Sequence, residues 1–290
     1  MGIFLGLLTA VTWGGSDFLA RFATTRIGTL RAMFYMQATG FLLLSLCLPW
    51  LGGWGHLHDG SGWQPWAWGI FAGCINAFST LTLYRSFEVG KMAVVAPLSA
   101  SYPALTVTLS LLTGEHLTAI RFAGIIFTLL GVVLVARGEK PPDADDADGN
   151  ARTGNGVGWA LCSALGFGVL FWLLGHRIVP RVGAPQTVWM IRLTSAFITA
   201  AILLVAKQSV ALPRGPVRWY VWAMGLLDTS AFVVSNRGMQ LEQVAIISVL
   251  GSLYGAVTVA LAAIFLHEHV AKWQWAGIAT IFAGIILISR

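Results

Sequence analysis

Long apolar runs separated by short polar loops dominate the chain. Each of ten runs approaches or reaches the roughly 17–25 residues that a helix needs to cross a bilayer. The runs are Ile3–Phe22, Leu30–Leu51, Trp66–Tyr84, Met92–Thr113, Ala119–Ala136, Val157–Ile178, Pro185–Ala206, Trp219–Asn236, Ala245–Leu266 and Trp273–Ser289. They do not alternate apolar and polar residues with the period of two that is typical of a transmembrane barrel strand. The pattern therefore predicts an all-α integral membrane protein with ten transmembrane helices.

An internal duplication is visible in the same pattern. The segment that ends at Arg137 reappears, with substitutions, at the C-terminal end of the chain. An offset of 152 residues pairs Tyr102 with Tyr254, and an offset of 153 pairs Gly131 with Gly284. Copies of this length are typical of secondary transporters, whose binding sites lie between the repeats.

The parity of the helices predicts how the two copies are oriented. Each copy contains five runs, an odd number, so the second copy enters the membrane from the opposite side. We therefore predict two inverted five-helix repeats, residues 1–138 and 155–290, with a site near the midplane where they face each other. Residues 139–154 are rich in acids and lack an apolar face, which predicts a flexible linker.

Composition and charge fit a protein that is largely embedded in lipid. Only 10% of residues are charged and the mean hydropathy is +0.75, whereas soluble domains are roughly 25% charged. The net charge of +6 is scattered over short loops, so we expect no nucleic-acid partner. Twelve of the loop cations lie on one side and five on the other, which by the positive-inside rule puts both termini outside.

The duplicated segments resemble a known family. They read VAPLSASYPALTVTLSLLTGEHLTAIRFAGIIFTLLGVVLVAR and SVLGSLYGAVTVALAAIFLHEHVAKWQWAGIATIFAGIILISR, and Trp13-Gly14 adds to the match. Together they are similar to the ten-helix, EamA-type branch of the drug/metabolite transporter (DMT) superfamily. The resemblance implies a multi-pass protein of the cell (inner) membrane that moves a small-molecule substrate by alternating access, and not an enzyme.

Further expectations follow from this resemblance. The family usually has cytoplasmic termini, opposite to the orientation that the loop charges favour. The fifth and tenth helices should pack at the edge, away from the cavity. The second copy has Val249 and Gly255 where the first has Pro97 and Pro103, so a kink in the fourth helix need not recur in the ninth.

Two charged side chains fall deep inside predicted helices, where an ionisable group costs roughly 2.5–3.5 kcal/mol on insertion scales. Asp228 lies near the middle of the eighth run and aligns with Asn76 of the first copy, while Arg192 aligns with Gln37. Three interpretations are open. The two charges form a buried ion pair; they lie apart and bind the carboxylate and ammonium of a zwitterion; or Asp228 is a proton-coupling site.

Other polar and aromatic side chains at membrane depth complete the candidate site. Amides and tyrosines need hydrogen-bond partners in lipid, and deep tryptophans either pack a core or line a cavity. The candidate substrate-binding residues are Gln37, Asn76, Tyr84, Tyr102, Trp172, Trp189, Arg192, Asp228, Asn236 and Tyr254. Asp17, by contrast, is expected to pair locally with Arg21 one turn on.

One buried acid, one buried base and deep aromatics favour an amino acid exporter, of the aromatic amino acid exporter kind. The alternative is a carrier of a nucleoside, a sugar derivative or a cationic drug, and a channel or a membrane enzyme ranks lower. His267 and His269 are two residues apart and face different sides of a helix, so we predict a polar turn and no metal site. We expect no cofactor, and ten helices are enough for a functional monomer.

Overall fold

The structure, a computed structural model, describes residues 1–57, 59–60, 62–90, 92–136, 147–266, 272–288 and 290, and in these residues it is helical without strands. The first half contains α1 (Gly2–Ile27), α2 (Thr29–Cys47), α3 (Gln64–Val89), α4 (Met92–Ser99), α5 (Pro103–Leu112) and α6 (Ala119–Ala136). The second contains α7 (Ala147–Leu173), α8 (Val179–Val182), α9 (Ala184–Val205), α10 (Val217–Leu241), α11 (Val244–Gly251), α12 (Tyr254–Leu266) and α13 (Lys272–Ile288).

Six of the described helical stretches are long and apolar enough to cross a membrane by length and composition. The helix α10 is equally long but carries Arg218, Asp228 and Arg237, which lower its hydropathy. Together with the shorter apolar helices, these stretches confirm the predicted all-α membrane fold.

Three of the predicted spans are interrupted. The fourth is split into α4 and α5, where Pro103 at the start of α5 lacks the N–H that would continue the helical ladder. The ninth is split at the equivalent place into α11 and α12, although no proline is present there. The Ser252 hydroxyl, at the break, donates to the Val249 carbonyl at 2.7 Å and competes with the helix. The break thus recurs without prolines. The sixth span continues from α7 through a π-helical turn, Leu174–Ile178, into α8.

The loops gather at two opposite ends of the helix bundle. At one end Arg31, just after the turn between α1 and α2, donates to the Ala211 carbonyl of the loop before α10 at 2.8 Å. We call this the basic end. At the other, distal end Gln243 donates to the His116 carbonyl of the loop before α6 at 2.6 Å. Successive loops therefore alternate between the ends, as expected if each span crosses the bundle.

Packing at the edge of the bundle shows that the two copies are inverted. Along the contact of α6 with α13, a Cβ on Gly124 would lie 2.8 Å from the Gly284 carbonyl oxygen, and one on Gly131 would lie 2.7 Å from that of Gly277. In the repeat Gly124 is equivalent to Gly277 and Gly131 to Gly284, so exchanging the copies turns each contact into the other. Equivalent helices run antiparallel here, as a two-fold axis between inverted copies requires.

The remaining helix contacts repeat the same symmetry. Helix α1 packs on α10 as α7 packs on α3, and α1 contacts α11 and α12 as α7 contacts α4 and α5. The turns at Gly28 and Gly183, which are equivalent in the repeat, have nearly the same backbone angles, φ/ψ of 81°/157° and 95°/153°. Their positive φ values favour glycine.

Helix α7 begins at Ala147, inside the segment predicted to be a linker. Residues 139–146, the rest of that segment, lie outside the described residues, as do residues 137 and 138 before it.

Candidate functional site

A small cavity lies between the two halves. Its volume is about 30 Å³, enough for one or two water molecules. It is lined by Trp13, Asp17, Thr80, Leu83, Tyr84, Tyr102, Phe167, Phe171, Asp228, Phe232 and Tyr254. These residues lie on α1, α3, α7, α10 and the breaks of the fourth and ninth spans, whereas α6 and α13 contribute none of them.

Two equivalent hydrogen bonds show how the two copies correspond next to this cavity. The Thr106 hydroxyl donates to the Gly168 carbonyl at 3.0 Å, and the Thr258 hydroxyl donates to the Gly14 carbonyl at 3.3 Å. Because Thr106 and Thr258 are equivalent in the repeat, Gly14 and Gly168 are equivalent too. This contact aligns α1 with α7, an alignment that the sequence does not reveal.

The resulting alignment shows where the copies differ in charge. Asp17 of the first copy corresponds to Phe171 of the second, since both lie three residues after the matched glycines. Asp228 of the second copy corresponds to Asn76 of the first. Both carboxylates line the cavity, one from each copy.

Arg192 is joined to Asp228. Its side chain is fully buried and donates to the Asp228 carboxylate and, at 2.7 Å, to the Gln37 amide oxygen. The guanidinium carbon also lies 5.0 Å from the centre of the Phe232 ring, within range of a cation–π contact. The geometry is that of the buried ion pair, one of the three interpretations that the sequence allows.

The bond between Arg192 and Gln37 joins two equivalent residues, so the axis passes between them. Gly40 makes room for this arrangement, because a Cβ there would lie 3.0 Å from Arg192 Cδ and would also collide with the Thr229 hydroxyl. Asn76 lies in the same buried layer, where its amide donates to the Ser195 hydroxyl at 3.1 Å. The polar candidates Gln37, Asn76 and Arg192 thus form a layer beside the cavity. Asp228 belongs to both, since it binds Arg192 and lines the cavity.

Aromatic rings form most of the cavity wall. The Trp13 ring packs edge-on against Phe171 and Phe232, with ring centres 5.4 and 5.2 Å apart. The Tyr102 hydroxyl donates to the Ser248 carbonyl at 3.0 Å. The Tyr84 and Tyr254 hydroxyls are buried and have no hydrogen-bond partner among the described residues, so they are free to bind a solute.

Three candidates lie elsewhere. The Trp189 indole donates to the Ser45 hydroxyl at 2.8 Å, towards the distal end. The Trp172 indole donates to the Thr113 hydroxyl at 3.1 Å, near the loop before α6. Asn236 is fully buried but does not line the cavity. The tryptophans were selected by depth, which does not determine the direction in which a side chain points.

Other cavity residues were missed among the candidates. Asp17 was assigned to a local pair with Arg21, but it lines the cavity, while Arg21 donates to the carbonyls of Phe87 and Gly90. An acid in an apolar helix is itself a signal of function, so Asp17 could have been found from the sequence. Trp13, a deep tryptophan, and Thr80, a polar residue at membrane depth, also carry a signal in the sequence but were not among the candidates. The rest of the missed set has none: Leu83, Phe167, Phe171 and Phe232. His267 and His269, for which we predict a polar turn, lie outside the described residues.

Comparison with known proteins gives the class of the chain. The EamA-like transporter family matches residues 1–137 and again residues 154–290. The chain therefore belongs to the EamA-like transporter family and is a multi-pass membrane transporter of small solutes.

An uncharacterised protein of Methanocaldococcus jannaschii, MJ1333.1, is 29% identical over 135 residues, which cover 95% of that protein but 46% of this chain. Nearly all of that protein thus corresponds to less than half of this chain, in agreement with a duplicated unit. A solved structure described only as a crystal structure of a protein matches with a TM-score of 0.77 and 19% identity, covering 99% of this chain and 95% of the other. That likeness concerns the fold alone.

Proposed function

We propose that the chain is an alternating-access carrier that exports an amino acid, which it binds in the cavity between the halves. The observation that carries the proposal is the cavity wall: aromatic rings surround two carboxylates, Asp17 and Asp228, with one guanidinium, Arg192, beside them. An aromatic cavity with acidic side chains suits a solute with an ammonium group and an apolar body.

Each part of an amino acid has a partner in this proposal. Asp17 accepts the ammonium group, and the rings of Trp13 and Phe171 contact the apolar side chain. The carboxylate is bound by Arg192, whose ion pair with Asp228 has to open, and by the unpartnered Tyr84 hydroxyl.

Transport requires the cavity to enlarge, because about 30 Å³ is too small for an amino acid. Rocking of the inverted halves about their axis supplies that change. The breaks at Tyr102 and Tyr254 lie at the cavity and are natural places for the fourth and ninth spans to bend. In the same proposal the chain is a functional monomer of the cell (inner) membrane, and residues 139–154 link repeats 1–138 and 155–290.

A second candidate substrate is an organic cation without a carboxylate. The observation that favours it is that Arg192 is already bound to Asp228 and Gln37, which leaves Asp17 as the acid of the cavity without a basic partner. In this version the ion pair stays closed and Arg192 has no contact with the solute.

Uptake and counterflow of labelled amino acids and organic cations in proteoliposomes separate the two candidates. If the substrate is an amino acid, both Asp17→Asn and Arg192→Gln abolish transport. If it is an organic cation, Asp17→Asn abolishes transport. The double variant Arg192→Gln/Asp228→Asn, which removes the ion pair without changing the net charge, retains transport. Asp59→Asn, in the exposed loop before α3, is the matched control. A panel in which no amino acid is transported rejects the first candidate.

A further inference from the structure

A basic pocket lies at the basic end, outside the central cavity. It has a volume of about 350 Å³ and is lined by Ile27, Arg31, Ala211, Leu212, Pro213 and Arg214. Arg31 belongs to the first repeat and Arg214 to the second, so the pocket joins the two halves. One part of its wall is cationic and the rest is apolar.

Arg31 is held in place by one hydrogen bond and has a further N–H group without a partner among the described residues. Its Nη2 atom donates to the Ala211 carbonyl at 2.8 Å, which fixes the loop before α10 against α2. The nearby Tyr35 hydroxyl donates to the Val210 carbonyl at 2.7 Å and reinforces that contact. The Arg31 Nε atom is buried and has no hydrogen-bond partner among the described residues. A buried guanidinium N–H without a partner is costly unless an acceptor binds there.

Two more arginines flank the pocket and rest on aromatic rings. The guanidinium carbon of Arg26 lies 5.4 Å from the centre of the Tyr220 ring, and that of Arg218 lies 4.9 Å from that of Trp219. Trp219 itself is largely exposed, as expected for an aromatic residue at a membrane interface. Arg26 and Arg218 thus add two positive charges to the segments that form the pocket.

The two segments that form the pocket contain no acidic residue of their own. The sequence has no Asp or Glu between Asp17 and Asp59, or between Asp148 and Asp228, so both segments that form the pocket are purely basic. Glu88 lies near this end, but it is bound by Arg85 at 2.9 Å and by the Thr29 hydroxyl. Among the described residues no acid pairs with Arg31 or Arg214, so their charge is available to an anion.

We infer that this pocket binds the phosphate of an anionic membrane lipid such as phosphatidylglycerol. Arg31 and Arg214 bind the phosphate oxygens, and Ile27 and Leu212 contact the start of the acyl chains. The apolar part of the wall favours a lipid over a free phosphate ion, which would gain nothing from it. Because the pocket joins α2 to the loop before α10, the bound lipid stabilises the contact between the halves at the basic end.

Thermal unfolding of the full-length protein in detergent tests this inference. Titration with short-chain phosphatidylglycerol should raise the unfolding temperature of the wild type, whereas short-chain phosphatidylcholine should have little effect. In Arg31→Gln/Arg214→Gln, the phosphatidylglycerol concentration needed for half of the shift should rise at least tenfold, since each interfacial arginine contributes about 1 kcal/mol. Glycerol phosphate and inorganic phosphate should shift neither protein.

The control variant is Arg177→Gln/Arg181→Gln, which removes the same charge from the distal end and should respond to phosphatidylglycerol like the wild type. Arg214 is exposed, so Arg214→Gln alone provides the test if the double variant does not fold. An equal response to both lipids, or an equal response of the two double variants, overturns the inference. A shift with inorganic phosphate alone shows that the pocket binds free anions and not lipid.

Discussion

The ion pair between Arg192 and Asp228 makes a quantitative prediction about stability. Asp228→Asn leaves a fully buried guanidinium without its counter-charge, and Arg192→Gln leaves a largely buried carboxylate without its donor. Removing one partner of a buried pair costs about 3–5 kcal/mol. Each single variant should therefore lose a large part of the roughly 5–15 kcal/mol that a typical domain has.

The repeat itself supplies the neutral form of this pair. Gln37 and Asn76 occupy the equivalent positions in the first copy, so Arg192→Gln/Asp228→Asn gives the second copy the residues of the first. Because this double variant contains no unpaired buried charge, it should be more stable than either single variant. The coupling energy in the double-mutant cycle should be about 2 kcal/mol or more.

Reversible unfolding in mixed micelles, followed by the helical signal, measures all four proteins of the cycle. Arg218→Gln is the matched control, since Arg218 lies on the same helix as Asp228 and is exposed, and it should change stability by less than about 0.5 kcal/mol. Additive losses, with the double variant as unstable as the sum of the single ones, would refute the reasoning.

Three further predictions concern close packing and one cap. Gly131→Ala places a Cβ 2.7 Å from the backbone of α13 and should lower the free energy of unfolding by about 1–3 kcal/mol. The control Gly158→Ala, with no neighbour within 4 Å, should cost nothing, and equal losses of stability in the two variants would contradict this packing. Gly40→Ala should abolish transport in proteoliposomes while the protein still reaches the membrane, because the methyl group displaces the buried guanidinium; full activity would show that its position is unimportant. Glu115 accepts the Val244 N–H at 2.6 Å and caps α11, so Glu115→Gln should lower the free energy of unfolding by about 1 kcal/mol, and an unchanged stability rejects the cap.

The fold could be predicted because its signals are periodic and repeated. Long apolar runs identify the spans, and the copies of the fourth and fifth spans share residues such as Tyr102 and Tyr254 that fix the register. Inversion then follows from an odd number of spans. The broken ninth span could not be predicted in the same way, because a hydrogen bond of the Ser252 side chain to the backbone, and not a proline, marks its break.

The candidate site was predicted in part. Depth in the membrane singled out Asp228 and Arg192 and left three interpretations open, of which the structure has the ion pair, since charges in lipid need each other. Depth does not give the side of the helix, and so Trp189 was grouped with the cavity although it packs near the distal end. The equivalence of Phe171 to Asp17 could not be predicted, because the alignment of α1 with α7 is visible only in the hydrogen bonds to Gly14 and Gly168.

Cysteine accessibility tests most directly whether inverted halves expose one cavity to each side in turn. In a background lacking the three native cysteines, Thr80→Cys places a thiol in the cavity, and Arg26→Cys and Arg181→Cys place exposed thiols at equivalent positions of the two repeats. Vesicles of both orientations are treated with a maleimide that does not cross the membrane. The account predicts that the two markers react from opposite faces, whereas the cavity thiol reacts from either face and is protected by substrate. Markers that react from the same face, or a cavity thiol that reacts from one face alone, would contradict it.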